Sequence, residues 1–315
     1  MIVSKCPVRI SLVGGSTDLE SFLEKYTTGA VVSFPCSLNT YITLHENHRD
    51  KFIINYTKNE EVASISAIKN DVARVVLDHF DPQEYLTIGF KSDIFSVGSG
   101  LAASSAYLIA LIKAIVTYQG VVMSNFDICK LALRLERKFN PLTGQQDPYG
   151  CGMMGFKRIN FRQNDDPSFE YLDSTFLDAF DMYVIYTGKT RSSTKILKSI
   201  SPHRSLPAME LVDVMHQSII DYDIETFIEV INEGWEKKKE TSSLIMSDKE
   251  LLEIDELLAS SHEILAHRLC GAGGGGHFAV FARKNADVSD LNSTMNKRLI
   301  RVNISQEGLA ARIIE

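Results

Sequence analysis

The sequence predicts an α+β protein built from two parts. Strand-like and helix-like runs are mixed without a regular strand–helix–strand repeat, the first third is rich in β-branched and aromatic runs, and a new rhythm of elements begins near residue 180. With 315 residues, 44% hydrophobic and 23% charged, the chain is long enough for two globular domains, expected at 1–175 and 176–315.

The elements follow in order. Arg9 lies in a strand-like run that ends at a tight Gly14-Gly15 turn, and Leu19–Lys25 follows as a short helix. Val31–Leu44 and Lys51–Tyr56 are strand-like, Ser64–Phe80 has helical spacing, and Leu86–Phe90 is again strand-like. Ala103–Gln119 is apolar nearly all round, which predicts a helix buried in the middle of a domain. Asp127–Phe139 is a second helix, capped by Ser124 or Asn125. Met182–Tyr186 reads as a strand, about Met209 to His267 as a long helical region, Phe278–Phe281 as a strand, and Leu299–Ile304 as a closing strand.

The net charge of −7 disfavours nonspecific nucleic-acid binding, so anionic substrates would need a local basic site. The first residues lack the long apolar stretch of a secretion signal, and the longest apolar run is too short to span a membrane. Five scattered cysteines, odd in number and without a C-x-x-C pair, read as reduced thiols of a cytoplasmic protein. His45 and His48 lie in a charged stretch and read as a solvated turn. A homo-oligomer is compatible with the composition; nucleic acid and membrane are not expected partners.

The most informative segment is SVGSGLAASSA, residues 96–106, which runs directly into the apolar helix. Small side chains leave backbone N–H groups open to an anion, and the helix start adds unpaired N–H groups and partial positive charge. A P-loop is excluded because no Lys follows the glycines, and a dinucleotide fingerprint lacks both its leading strand and its ribose acid. A serine-bearing phosphate loop and a tight turn before a buried helix both remain open.

Three further constellations bear chemistry. Asp18 beside the glycine turn could bind sugar hydroxyls, while Ser16, Thr17 or Asp18 could instead cap the next helix. Glu136 and Asp147, eleven residues apart, suit metal-assisted phosphoryl transfer, or else are a surface ion pair with Arg137 or Lys138 and a turn. CGAGGGGHF (270–278) marks a close approach of backbone, since strand-like residues follow it at once. Lys189, Arg191 and Lys195 form a basic corner for a phosphate or a solvated loop.

In order, Cys6–Asp18, the loop at 96–106 and the glycine run at 271–276 resemble the three motifs of the GHMP kinases, a family that includes galactokinase, homoserine kinase, mevalonate kinase and heptose-phosphate kinases. Arg9–Leu19 followed by Gly144–Tyr149 is most similar to the heptose 7-phosphate kinases of that family, whereas Gly15 and Ser16 replace the Glu-His of galactokinase. The resemblance implies an N-terminal domain like domain 2 of ribosomal protein S5, a ferredoxin-like C-terminal domain, and an active site between them.

It further implies ATP and Mg²⁺ as cofactors and a sugar or sugar phosphate as acceptor. Asp147 and Arg9 would be catalytic. Gly98, Ser99, Gly100, Leu101, Ala102, Ala103, Ser104 and Ser105 would hold ATP, with Ser104 and Glu136 on the metal. Asp18, Ser16, Thr17, Gly144, Gln146 and Arg191 would meet the sugar, and Gly273–Gly275 would support the site. The implied activity is phosphorylation of the anomeric hydroxyl of D-glycero-D-manno-heptose 7-phosphate; the alternatives are another GHMP kinase for a fucose-like or other free sugar, and a non-catalytic sensor. Three departures stand out: Ser96 for the usual Pro, Ala102-Ala103 for Gly-Ser, and Arg268 for Lys. Ala102 costs little if its φ is negative and more if it is positive.

Overall fold

The computed structural model describes residues 1–95, 98–190 and 193–314. The first part runs β1 (Ile2–Val13), α1 (Glu20–Tyr26), β2 (Thr28–Glu46), β3 (Phe52–Asn55), β4 (Asn59–Val62), α2 (Asp71–Phe80), β5 (Leu86–Ser92), α3 (Ala103–Tyr118), α4 (Asn125–Glu136), α5 (Gln146–Gly152), β6 (Lys157–Arg162) and β7 (Ser168–Tyr171). The second runs β8 (Asp181–Tyr186), α6 (Ser193–Leu197), α7 (Leu206–Ile220), α8 (Ile224–Thr241), α9 (Lys249–Ser260), β9 (Ile264–Leu269), β10 (His277–Ala282), α10 (Ser289–Met295), β11 (Leu299–Val302) and β12 (Ala310–Ile313). Among the described residues no helix is long and apolar enough to cross a membrane.

The large sheet has eight strands in the order β12-β1-β2-β5-β3-β4, with β6 and β7 attached to β2. From Cys6 onward β1 is buried on both faces. That explains its near-continuous apolar run, since a one-sided strand would alternate. The helix α3 lies against β1 and β2, and Leu108, Ile109, Leu111, Ile112 and Ile115 are fully buried, as its all-round apolar sequence predicts. The cap of α4 is Ser124, whose hydroxyl accepts from the Asp127 N–H at 3.1 Å. Helical spacing at Ser64–Phe80 yields only a turn at Ile65–Ala67 and then α2, capped by Asn70.

The small sheet has the antiparallel order β11-β8-β10-β9. With α6 to α9 between β8 and β9 in the chain and α10 between β10 and β11, this is the ferredoxin-like arrangement with an enlarged first crossover. The predicted helical region to His267 is three helices and a strand. Residues 264–269 are extended because they pair with β10, Leu269 opposite Phe278. Helical spacing before them carries no sign of that nonlocal pairing.

Two long-range features join the parts. β12 returns to the first sheet and pairs with β1, Ile2 opposite Ile313. Phe176 and Phe227 stack edge to face at 4.9 Å, and Phe227 meets Phe281 of β10 at 6.0 Å, so one face of the small sheet shares the large core. Among the described residues no disulfide joins the five buried cysteines.

The other face of the small sheet is held by Asp255. Its Oδ1 accepts from Trp235 Nε1 at 2.7 Å and from His267 Nε2 at 2.8 Å, and its Oδ2 accepts from Lys239 at 3.1 Å. These bonds tie α8, α9 and β9 together; burial pushes the Asp255 carboxyl up, and the hydrogen bonds from His267, Trp235 and Lys239 outweigh it and hold the group below its usual range. Removing it strands the buried donors of Trp235 and His267. Asp255→Ala is expected to lower unfolding free energy by about 3 kcal/mol, measured by urea denaturation.

Candidate active site

A cleft of about 190 Å³ opens where the N-terminus of α3, the Gly14–Leu19 turn and the C-terminal ends of α8 and β9 converge. Its floor is the loop from Gly98 to Ala103. Gly98, Gly100 and Ala102 all have left-handed φ values of 63°, 76° and 62°. Alternation of left-handed residues is the geometry from which backbone anion nests are made. The helix start has no side-chain cap, so its N–H groups are available to a ligand. Ser96 and Val97 lie outside the described residues.

The loop is braced from the small sheet. His277 donates both its backbone N–H, at 3.0 Å, and Nδ1, at 2.9 Å, to the carbonyl of Ser99. A carbonyl only accepts, so Nδ1 carries the proton. Burial holds the imidazole below its usual pKa, which favours that neutral tautomer. A Cβ on Gly276 would stand 2.5 Å from Ser99 O, so the close approach needs glycine. The brace is therefore Gly276-His277, whereas Gly273–Gly275 turn beside Ile245, Ile196 and Lys189.

From the other side the loop is held by Arg9, which is 2% exposed. Its N–H donates to Leu101 O at 3.1 Å and its Nη1 to Gly100 O at 2.7 Å. Its Nη2 and Nε donate to Oδ1 of Asp147 at 2.7 and 3.2 Å. Asp147 sits in the first turn of α5, and its Oδ2 makes no hydrogen bond among the described residues. The sequence-predicted pair is thus assembled at the loop, with one carboxylate oxygen fixed and the other open to the cleft.

Glu136 is the last residue of α4 and only 2% exposed. It accepts a hydrogen bond of 2.5 Å from Ser105 Oγ, not the surface ion pair that Arg137 or Lys138 would give. Those two residues turn to Glu20 and Asp78. Burial raises the Glu136 pKa to about 7, the charge of Asp147 adds to this, and hydrogen bonds from Ser105 and Ser104 oppose it. Ser104 and Glu136 both line the cleft; Ser105 and Leu101 sit behind it.

Asp18 is fully buried, and Gln146 binds both of its oxygens, by N–H at 2.9 Å and by Nε2 at 2.8 Å. A Cβ on Gly144 would lie 2.0 Å from Asp18 Oδ2, so this glycine makes room for the carboxylate. None of Ser16, Thr17 or Asp18 caps α1, because Leu19 is its N-cap and gives no side-chain bond. The Thr17 hydroxyl is used within the turn, accepting from Ala30 N–H at 3.1 Å, and does not line the cleft. Ser16, Gly144 and Gln146 do.

Of the predicted basic corner, Arg191 lies outside the described residues. Lys189 turns to Asp248 and Glu250, each at 3.3 Å, and neither it nor Lys195 lines the cleft. Arg204, Lys237, Lys238 and Arg268 line it instead. No local motif marks the first three, which reach the cleft only because α8, carrying Lys237 and Lys238, and the Pro202–Ser205 turn, carrying Arg204, pack beside β9. Arg268 carried a signal, as the position where the third motif usually has Lys.

A loop with the backbone geometry of an anion nest, facing a carboxylate with a free oxygen, has the features that phosphoryl transfer to a small molecule requires. Residues 66–155 match the GHMP kinases N-terminal domain. The chain carries a match to that domain and has the GHMP kinase fold, and the proteins it is similar to are kinases of that family, whose members take the phosphoryl group from ATP.

The D-glycero-alpha-D-manno-heptose 7-phosphate kinase of Campylobacter jejuni is 26% identical over 305 residues, 89% of each chain. The mevalonate kinase of Pyrococcus abyssi is 24% identical over 337 residues, 98% of this chain and 97% of that one. Among solved structures, a D-glycero-D-manno-heptose 1-phosphate kinase from Bacteroides thetaiotaomicron superimposes with a TM-score of 0.78 at 20% identity, covering 100% of both chains.

Ala102 has its Cβ in left-handed backbone, so Ala102→Gly is expected to raise stability by about 1 kcal/mol in urea or thermal unfolding. Burial raises the Asp18 pKa to about 6, against the opposing hydrogen bonds of Gln146, with Asp147 adding to the rise. The native state therefore holds this proton more tightly than the unfolded chain. The stabilisation is complete below the unfolded pKa and is lost as pH rises through about 6. That loss is about 3 kcal/mol, and Asp18→Asn should lack it when unfolding free energies near pH 4 and pH 7 are compared.

Proposed function

We propose that the protein is an ATP- and Mg²⁺-dependent sugar kinase whose acceptor is the anomeric hydroxyl of D-glycero-D-manno-heptose 7-phosphate. The observation that carries this reading is the placement of Asp147. Arg9 fixes one of its oxygens beside the phosphate loop, and the other lines the same cleft as Asp18. Similarity to the Campylobacter jejuni enzyme over most of the chain supports the choice of sugar.

The backbone of Gly98–Ser105 and the start of α3 would receive the ATP phosphates, with no lysine required. Asp147 orients the acceptor hydroxyl and takes its proton on Oδ2, while Arg9 holds the carboxylate in place and ties it to Gly100. Asp18 accepts hydrogen bonds from sugar hydroxyls in an orientation set by Gln146. Much of the rate enhancement is then positioning and fixed charge.

The residues fit Mg²⁺. Among the described residues no three acidic, histidine or cysteine side chains are grouped so that they could hold a metal ion, so the protein alone does not cage one. Mg²⁺ in kinase sites is held by one or two carboxylates together with the substrate phosphates. Glu136, buried beside a hydroxyl donor and without a cationic partner, and Ser104 are the residues that would hold it. Bound there, the ion would offset charge on the phosphates. We also propose that residues 1–175 and 176–315 act as two domains with this site between them.

Asp147→Asn keeps an oxygen for Arg9 and loses the proton acceptor. ADP release with the heptose 7-phosphate is expected to fall about 10³-fold, while the calorimetric Kd for ATP stays within about threefold. Near-normal turnover would remove Asp147 from the role of base.

A further inference from the structure

The cleft holds more positive charge than ATP phosphates on a backbone loop require. Its three acids, Asp18, Glu136 and Asp147, lie near the loop and the Gly14–Leu19 turn. Arg204, Lys238 and Arg268 gather where the Pro202–Ser205 turn meets the ends of α8 and β9. Arg204 Nη1 donates to the carbonyls of Glu240 and Thr241, each at 3.2 Å. Lys238 Nζ donates to the carbonyls of Leu269 and Gly271 at 2.8 and 2.6 Å. These bonds hold Arg204 and Lys238 at one end of the cleft, which Arg268 of β9 also lines.

Arg268 is the telling member. It is 4% exposed, it lines the cleft, its Nε has no hydrogen-bond partner, and no carboxylate pairs with it among the described residues. Burial lowers its pKa only to about 10, so it is a cation at neutral pH. Two other buried side chains without a hydrogen-bond partner, Ser11 Oγ and Thr143 Oγ1, belong to residues lining the same cleft. Native proteins rarely leave such groups unmade, because each costs about 1–3 kcal/mol. A ligand bearing an anion and hydroxyls satisfies all three.

We infer that Arg268, Arg204 and Lys238 bind the phosphate that the acceptor sugar already carries, with Ser11 and Thr143 bonding its hydroxyls. The inference rests on the sugar-kinase reading and deepens it. A phosphate monoester dianion matches the planar guanidinium of a buried arginine, whose donors form a fixed fork. The substrate is then held at both ends, with its reacting hydroxyl at Asp147 and its phosphate at the basic corner. The same corner draws an anionic substrate into a protein whose overall charge repels it.

The test compares D-glycero-D-manno-heptose 7-phosphate with the same heptose lacking the phosphate, by ADP release and by calorimetric binding. Wild type, Arg204→Ala and Arg268→Lys are measured, with circular dichroism melts as the folding control. Wild type is expected to favour the phosphorylated sugar at least about 100-fold in kcat/KM. Each variant should raise the KM for that sugar about 10-fold or more, a larger factor than its effect on the KM for ATP or on the use of unphosphorylated heptose.

Equal use of both sugars by wild type, or variants that weaken both sugars alike, overturns the phosphate corner and leaves the kinase reading standing. Binding of the phosphorylated sugar through Arg204 and Arg268 without any ADP release sustains the corner and overturns the kinase reading. Absence of both binding and turnover overturns both.

Discussion

The active site depends on one buried cation. Arg9 joins three elements that are far apart in sequence: it lies on β1, its backbone and Nη1 hold the carbonyls of Leu101 and Gly100, and its remaining donors hold Asp147 on α5. A buried guanidinium is tolerated only when its donors are satisfied. The loop and the aspartate cannot therefore move independently of β1. Gly150 reinforces the constraint, since a Cβ there would stand 3.1 Å from the Arg9 side chain. The loop and the Asp147 carboxylate are thereby held in fixed relation before any ligand arrives, the kind of preorganisation that catalysis by fixed charge requires.

Around this anchor the site departs from the least strained arrangement in two ways. Ala102 holds a left-handed conformation that glycine would adopt without steric penalty. Glu136 and Asp18 are buried carboxylates whose pKa values are raised to about 7 and about 6. Each costs stability, and all three lie at the cleft. The small-sheet brace at Gly276-His277 and the Asp255 network oppose these costs by fixing the walls that the loop and α8 pack against.

The fold class was legible in the sequence because the local signals agreed with the tertiary outcome. The apolar periodicity of α3, the Ser124 cap and the strand runs of β2 and β8 each match what formed. The strand β9 was not legible, because its extended state comes from pairing with β10 and follows a helical pattern. In the site, the ordered motifs marked Arg9, Asp18, Glu136 and Asp147. They did not mark Arg204, Lys237 or Lys238, which are ordinary basic residues until α8 and the Pro202–Ser205 turn carry them to the cleft. The cap role open to Ser16, Thr17 and Asp18 was excluded only by Leu19 taking the N-cap and Gln146 taking Asp18.

By itself the sequence determined the chemistry available: a lysine-free glycine and serine loop at a helix start, two carboxylates eleven residues apart, and a glycine run that must lie close to other backbone. Those features follow from residue type and short spacing, which the chain carries wherever it folds. Tertiary structure decided how they are used. It set which oxygen of Asp147 is held, which serine meets Glu136, that Gly276-His277 and not Gly273–Gly275 braces the loop, and which cations reach the cleft. Each of these depends on distances between segments up to 178 residues apart, fixed by sheet pairing and core packing and not by local propensity.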